Sequence, residues 1–369
     1  MKIGITGYPT YGGSGIVATE LGMELAARGH DVHFISYAPP VRLVTDLDRV
    51  HYHEVEVTNY PLFVYPPYCL ALAARMAQVA ERYHLDLLHV HYAIPHSISA
   101  MLARQMTAKR RLPFVTTLHG TDITLVGVEP SYFDITTFSI DASDGVTTVS
   151  NYLKERTEQV FHVKSQIEVI PNFVNCDLYK PSDKLRLATP RLIHISNFRP
   201  VKRPVDCIRV AARVFAETKA ELWMVGDGPE RGPAERLAEE LGIDDRVRFL
   251  GKQDQIERLL QQSDILLLPS EHEAFGLAAL EAMACGVIPV ATATGGVAEL
   301  VTHGTDGFLE PVGDIEAQAA RVLDLIRDSG RRMGMSMAAR QTARTRFSTD
   351  LVIPRYEAFY RKVTAGTGS

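Results

Sequence analysis

Short aliphatic runs alternate with longer stretches of mixed polarity along most of the 369 residues. Runs at 2–6, 31–36, 85–91, 113–118, 145–149 and 167–171 have the length and aliphatic content of buried strands. Residues 16–28 read as a helix closed by Gly29, and 70–83 as an amphipathic helix. Residues 60–68, with three prolines, form a loop. This β-α-β opening predicts a parallel sheet. Residues 175–190 are polar and proline-bearing and read as a linker. The alternation restarts at Arg191, with strands near 191–196, 220–225, 246–250, 264–268 and 287–291. Helices are expected over 313–328 and 331–346, and 347–363 closes the chain. The expected fold class is α/β, with two Rossmann-like domains, 1–174 and 175–347, whose parallel sheets face a central cleft.

Composition narrows the classes. The chain is 46% hydrophobic and 22% charged, ordinary for a globular protein, and a net charge of −5 gives no reason to expect nucleic acid as a partner. The four cysteines are scattered without a Cys-x-x-Cys, which argues against a disulfide framework or zinc ribbon. No apolar run reaches the roughly 18 residues of a membrane span, and Met1 leads straight into a strand. A cytoplasmic protein without an integral membrane segment is expected.

The richest stretch is 269–281. The aliphatic run Ile265-Leu266-Leu267-Leu268 feeds a loop, and a helix follows from Leu277, with Gly276 at the junction. Backbone N–H groups at such a helix start are unsatisfied and carry the positive end of the helix dipole, a place for a diphosphate. Glu273 and Glu281, eight residues apart, are acceptors for hydroxyls such as those of a sugar and a ribose. The competing reading is two solvated surface charges. A second cue is Arg199, Lys202 and Arg203, three cations in five residues after a strand. Glycine turns follow two more strands, at Gly226 and after Leu250.

In the first half, Gly12-Gly13-Ser14-Gly15 precedes a helix and lets backbone approach a ligand. It is not Gly-x-Gly-x-x-Gly, and the second strand ends in Ser36-Tyr37 without an acidic residue, so no dinucleotide cofactor is expected. His89 and His91 share a strand face but lack a third ligand at zinc-like spacing. The only Asp-x-Asp, Asp46-Leu47-Asp48, lies in a polar connection, and no required metal is expected. His119 follows a strand and is expected to point toward the cleft.

Glu-x7-Glu enclosing Phe275-Gly276-Leu277, then Ala282-Met283-Ala284-Cys285-Gly286 and Thr294-Gly295-Gly296, resembles the donor-site signature of retaining GT-B glycosyltransferases of family 4. The resemblance extends over essentially the whole chain. It implies a UDP-sugar donor held by Gly13, Ser14, Asn197, Arg199, Lys202, Gly226, Leu250, Glu273, Ala274, Phe275, Gly276, Leu277 and Glu281. It implies catalytic roles for His119, Arg199, Lys202 and Glu273, no metal or other cofactor, and a final helix at about 348–363 crossing back to the first domain. Asn197 stands where the family pattern has Arg, with Arg199 two residues on. More narrowly, Tyr11-Gly12-Gly13-Ser14-Gly15-Ile16, His51-Tyr52-His53-Glu54-Val55, Tyr65-Pro66-Pro67-Tyr68, His89-Val90-His91-Tyr92-Ala93-Ile94-Pro95-His96 and Thr116-Thr117-Leu118-His119-Gly120-Thr121-Asp122 resemble the branch that transfers N-acetylglucosamine from UDP-GlcNAc to L-malate in bacillithiol biosynthesis. That branch implies retention of configuration. Malate is a dianion that needs cations, hydroxyls or amides, and Ser14, Tyr92, Thr117 and Asn151 are candidates for it from their loops. Alternatives are a lipid or sugar acceptor, to which the cations Lys109, Arg110 and Arg111 would be relevant, or a UDP-sugar 2-epimerase. Oligomeric state is left open, a homodimer included.

Overall fold

Strands covered on both faces must be apolar on both, so they read as continuous aliphatic runs rather than alternating ones. The computed structural model, which describes residues 1–44, 48–58, 61–107, 111–182 and 189–366, follows that rule. It divides into two units, Met1–Pro171 joined by the chain from Val352 onward, and Asn172–Leu351.

The first unit is built on β1 (Lys2–Thr6), β2 (Asp31–Ser36), β3 (Val50–Glu54), β4 (Leu87–His91), β5 (Phe114–Leu118), β6 (Gly145–Thr148) and β7 (Ile167–Val169). Their order is β3-β2-β1-β4-β5-β6-β7, and every pair is parallel. The helix Tyr68–Tyr83 lays Leu72, Met76 and Val79 against Ile35, Leu88, Val90 and Phe114. The last helix, Thr349–Ala365, closes this unit. Tyr360 Oη lies 2.7 Å from His89 Nδ1, and Glu357 Oε1 lies 2.8 Å from His30 Nε2.

The second unit holds β8 (Arg191–Ile195), β9 (Glu221–Val225), β10 (Val247–Gly251), β11 (Ile265–Leu268), β12 (Ile288–Thr292) and β13 (Phe308–Glu310). The order is β10-β9-β8-β11-β12-β13, again all parallel. Its core joins Leu192, Leu222, Met224, Ile265, Leu267 and Val290 to Val210 and Val214 of the helix Pro204–Phe215. In both sheets the strand order reverses once, between β1 and β4 and between β8 and β11. Ligands of open α/β sheets gather beyond the carboxyl ends of strands at such a reversal.

Some elements differ from the sequence expectation. The first helix runs Gly13–Ala27, so the glycines expected in a loop form its first turn. Gly12 caps it in extended backbone, and a side chain on Gly15 would come within 2.4 Å of the Tyr8 carbonyl oxygen. β3 and β13 escaped notice because one carries two histidines and the other is three residues long. The expected linker is partly packed. Tyr179 within it is buried, and Val174 just before it pairs with Ser348. Residues 183–188 of that linker, Asp46 and Leu47, and Lys109 and Arg110 lie outside the described residues.

Candidate active site

In the second unit two loops meet across the reversal. The loop after β8 carries Asn197, Arg199, Lys202 and Arg203, and the loop after β11 carries Ser270, Glu271 and Glu273. Glu271 N donates to Val201 O at 2.9 Å, Arg203 Nη1 donates to Glu271 Oε1 at 2.9 Å, and Lys202 Nζ donates to Glu273 Oε1 at 2.6 Å. Ser270 Oγ adds a second donor to that oxygen at 2.9 Å. Glu273 is thus fixed by a cation and a hydroxyl. Arg199 is exposed, and no described residue engages its guanidinium by hydrogen bond or ion pair. Arg203 is committed to Asp206 and Glu271.

Behind these loops, His194 is buried and bridges Leu267 O at 2.9 Å and Ser196 Oγ at 2.8 Å. Burial pushes its pKa down to about 4, so it is neutral at physiological pH. Gly226 has φ +125°, and a Cβ there would stand 1.8 Å from Ser196 O. The turn after β9 therefore lies directly on the Ser196–Asn197 backbone, as only glycine permits. Leu250 O accepts from Gln253 Nε2 at 2.6 Å. Gly276, at φ +93°, caps the helix Leu277–Ala284, and its missing side chain leaves the leading amides of that helix uncapped by side chain. Phe275 is buried edge-on to Phe347, with ring centroids 5.6 Å apart, while Ala274 and Leu277 are half-buried. Gly296 N donates to Glu273 O at 2.9 Å, which ties the Gly295-Gly296 turn to the same loop. Glu281, one turn into the helix, is only 4% exposed and accepts from Tyr179 Oη at 3.0 Å.

In the first unit the same logic brings Ser14 and Tyr92 together. Ser14 follows β1 and Tyr92 follows β4, and Ser14 Oγ donates to Tyr92 Oη at 2.9 Å across the reversal. Tyr92 has φ +88°, a conformation costly for a bulky residue and held by its N–H bond to Thr117 O at 2.9 Å. His119 packs beside Tyr92, and its Nε2 lies 2.7 Å from His91 Nδ1. Burial pushes the His119 pKa down to about 3 and that of His91 well below the usual value. Asp122 organises both loops. Its carboxylate accepts from the N–H groups of Ala93 at 3.1 Å, His119 at 3.1 Å and Gly120 at 2.9 Å. Burial outweighs those donors and raises its pKa to about 6.

Family models match both halves: "Glycosyltransferase Family 4" over 11–178 and "Glycosyl transferases group 1" over 178–342. Along 98% of this chain and 97% of its own length, N-acetyl-alpha-D-glucosaminyl L-malate synthase of Bacillus anthracis is 46% identical. The chain belongs to the family 4 glycosyltransferases. The transferase also superposes on solved structures. A glycosyltransferase from Rickettsia africae matches with TM-score 0.79 at 22% identity, covering 98% of each chain. Anabaena HepE in complex with UDP-glucose matches with TM-score 0.79 at 23% identity, covering 98% of this chain and 100% of the other. These likenesses show that the two parallel-sheet units are those of the GT-B fold.

Within the transferase, the sequence-derived candidates fall into two sets. Asn197, Arg199, Lys202, Gly226, Leu250, Glu273 to Leu277 and Glu281 gather at the carboxyl ends of β8 to β11. Gly13, Ser14, Tyr92 and His119 gather at the carboxyl ends of β1, β4 and β5. Asn151 is exposed at the first turn of Asn151–Phe161, after β6. Thr117 differs from its expected acceptor role. Its buried Oγ1 lies 2.6 Å from His89 Nε2 and 2.6 Å from Thr147 Oγ1, inside the sheet, and it is the Thr117 carbonyl that positions Tyr92. His89 and His91 belong to no cluster of three potential metal ligands among the described residues, and each contacts a protein group. Ser270, Tyr179 and Asp122 were missed because each acts through a neighbour that no local spacing reveals.

Proposed function

We propose that this transferase moves N-acetylglucosamine from UDP-GlcNAc to the hydroxyl of L-malate with retention of configuration, giving GlcNAc-α-malate and UDP, the first step of bacillithiol biosynthesis. The observation that carries the reading is the 46% identity to the Bacillus anthracis malate synthase along almost the whole of both chains. The second unit takes the UDP-sugar and the first takes malate.

The reaction breaks the bond from the sugar anomeric carbon to the diphosphate and forms one to the malate hydroxyl oxygen on the same face. The hydroxyl proton passes to the departing diphosphate. Charge accumulates on that diphosphate, and fixed cations and amides aimed at it lower the barrier most. Lys202, the exposed Arg199 and the amides from Gly276 onward are of the right chemistry, as are those at Gly13 and Ser14. Glu273, already oriented by Lys202 and Ser270, is assigned to the sugar hydroxyls, and Glu281 to the ribose. His119, half-buried and neutral, is assigned to the transferred sugar as a hydrogen-bonding group. Malate is a dianion at neutral pH and needs donors. Ser14, Tyr92 and Asn151 supply hydroxyls and an amide, with Thr117 in support.

A lipid or sugar acceptor is the second reading. No helix among the described residues is long and apolar enough to cross a membrane. An acceptor screen with UDP-GlcNAc, following UDP release, decides. Release that depends on malate supports the proposal, and release equally fast with malate omitted rejects it. No metal is assigned to catalysis, so the rate in EDTA should equal that in buffer.

A further inference from the structure

Away from these loops, at the amino-terminal end of the first sheet, three side chains converge on one point. Asp31 and His33 lie two residues apart on β2 and so project from the same face. His51 on the edge strand β3 is the register partner of His33, and His53 follows on the same face. The potential ligand atoms of Asp31, His33 and His51 all lie within 4.8 Å of one another. His51 Nε2 is 2.7 Å from Asp31 Oδ1, and His33 Nε2 is 3.8 Å from Asp31 Oδ2.

His33 gives the independent indication. Its ring is fully buried, and its Nε2 has no hydrogen-bond partner, the Asp31 oxygen being out of reach. Its Nδ1 lies 2.9 Å from His53 Nε2. With Nδ1 donating to His53, the His33 Nε2 lone pair is bare and faces Asp31 and His51. A buried nitrogen without a partner is costly, and second groups that fix the far nitrogen of an imidazole are the usual support of a metal-binding histidine. Stacking of His33 on His51, with centroids 4.6 Å apart, and the Tyr83 ring at 4.7 Å hold the rings in place.

We propose that His33 Nε2, His51 Nε2 and an Asp31 carboxylate oxygen form a binding site for one borderline divalent cation of the zinc or cobalt class. Two imidazoles and one carboxylate are the donor set such ions favour. A tetrahedral ion with bonds of roughly 2.0–2.1 Å holds its ligand atoms roughly 3.3 Å apart. The pair now at 2.7 Å would open and the pair at 3.8 Å would close, by rotation of the partly exposed Asp31 and His51 side chains toward the fixed His33 ring. Entry displaces the proton shared by His51 and Asp31 to solvent. The side chains of His51 and Asp31 are 40% and 28% exposed, which gives the ion a path and leaves a fourth position for water. The ion would clamp edge strand β3 to β2, at the strand ends opposite the candidate acceptor loops, and so act on stability rather than on transfer.

The test is equilibrium dialysis of the full chain, stripped with EDTA, against Zn2+, comparing the unaltered protein with His51→Gln and Asp31→Asn. Both positions are partly exposed, so both variants should fold. The proposal expects one more equivalent of zinc bound to the unaltered protein than to either variant. It also expects a thermal midpoint that zinc raises only in the unaltered protein. Zinc held by the free cysteines contributes equally to all three chains. Equal binding in the three chains, or a less than tenfold loss of affinity in both variants, overturns it.

Discussion

Lys202 Nζ lies 2.6 Å from Glu273 Oε1, and this contact joins the loops after β8 and β11 where the strand order of the second sheet reverses. The pair is partly buried, with side chains 23% and 12% exposed. A carboxylate thus holds the cation in place before any diphosphate arrives, and the diphosphate would take over as its partner. Lys202→Ala should reduce kcat/KM by about two decades or more, as loss of a charge-stabilising donor costs about 2.7–4 kcal/mol of barrier. Initial rates of UDP release measure this, and a tenfold loss or less contradicts the assignment.

Tyr179 and Glu281 form a buried pair reaching from the segment after the first unit into the helix Leu277–Ala284. Tyr179→Phe removes one donor from a carboxylate with little solvent to replace it. A loss of about 1–3 kcal/mol in unfolding free energy of the second unit is expected. Glu281→Gln should chiefly raise the KM for UDP-sugar. Calorimetric titration with UDP measures that loss, and an affinity equal to that of the unaltered protein removes Glu281 from the donor site.

The Ser14–Tyr92 bond lies among the residues proposed for the acceptor. Tyr92→Phe keeps the ring and its contacts with Tyr8 and His119 but removes the hydroxyl. The KM for malate should rise by about tenfold, the scale of a single hydrogen bond, with UDP binding unaffected. A change in UDP affinity of the same size, with malate KM constant, would place Tyr92 elsewhere.

Acid should unfold the first unit readily. Burial depresses the pKa of His33, His53 and His96 to about 4 and that of His89 and His119 to about 3, from 6.5. For groups lowered on folding, the stabilising contribution is complete above pH 6.5 and fades as pH falls toward the folded values, by about 1.4 kcal/mol per pH unit for each. Asp122, raised to about 6 from 3.8, acts oppositely over pH 3.8–6, but it is one group against five. Urea midpoints at pH 7, 6 and 5 should therefore drop steeply, and a constant midpoint over that range would refute the burial of these rings as neutral species.

How far the sequence carried depends on the range of each signal. Strands such as Ile265–Leu268 are contiguous and apolar, so both sheets were legible, as was the Glu273 to Glu281 spacing on one loop and helix. β3 was not, because Val50–Glu54 alternates histidine with other residues at the sheet edge and lacks an aliphatic run. Thr117 was assigned to a ligand because it precedes a loop. Its hydroxyl instead points to Thr147, on a strand 30 residues away. Tyr179 sat in a polar, proline-bearing stretch, and only tertiary packing shows it buried against Glu281. Local periodicity reports which residues lie inside. It does not report which polar groups meet there.

The helix Thr349–Ala365 contributes Tyr360, Glu357 and Phe359 to a sheet whose last strand ends at Val169. As the ribosome extends the nascent polypeptide, Asn172–Leu351 emerges complete and contiguous, whereas the earlier half must wait for its final piece. The later-made unit is then free to finish folding first, and removing the residues from Val352 onward would injure the unit that carries β1 to β7.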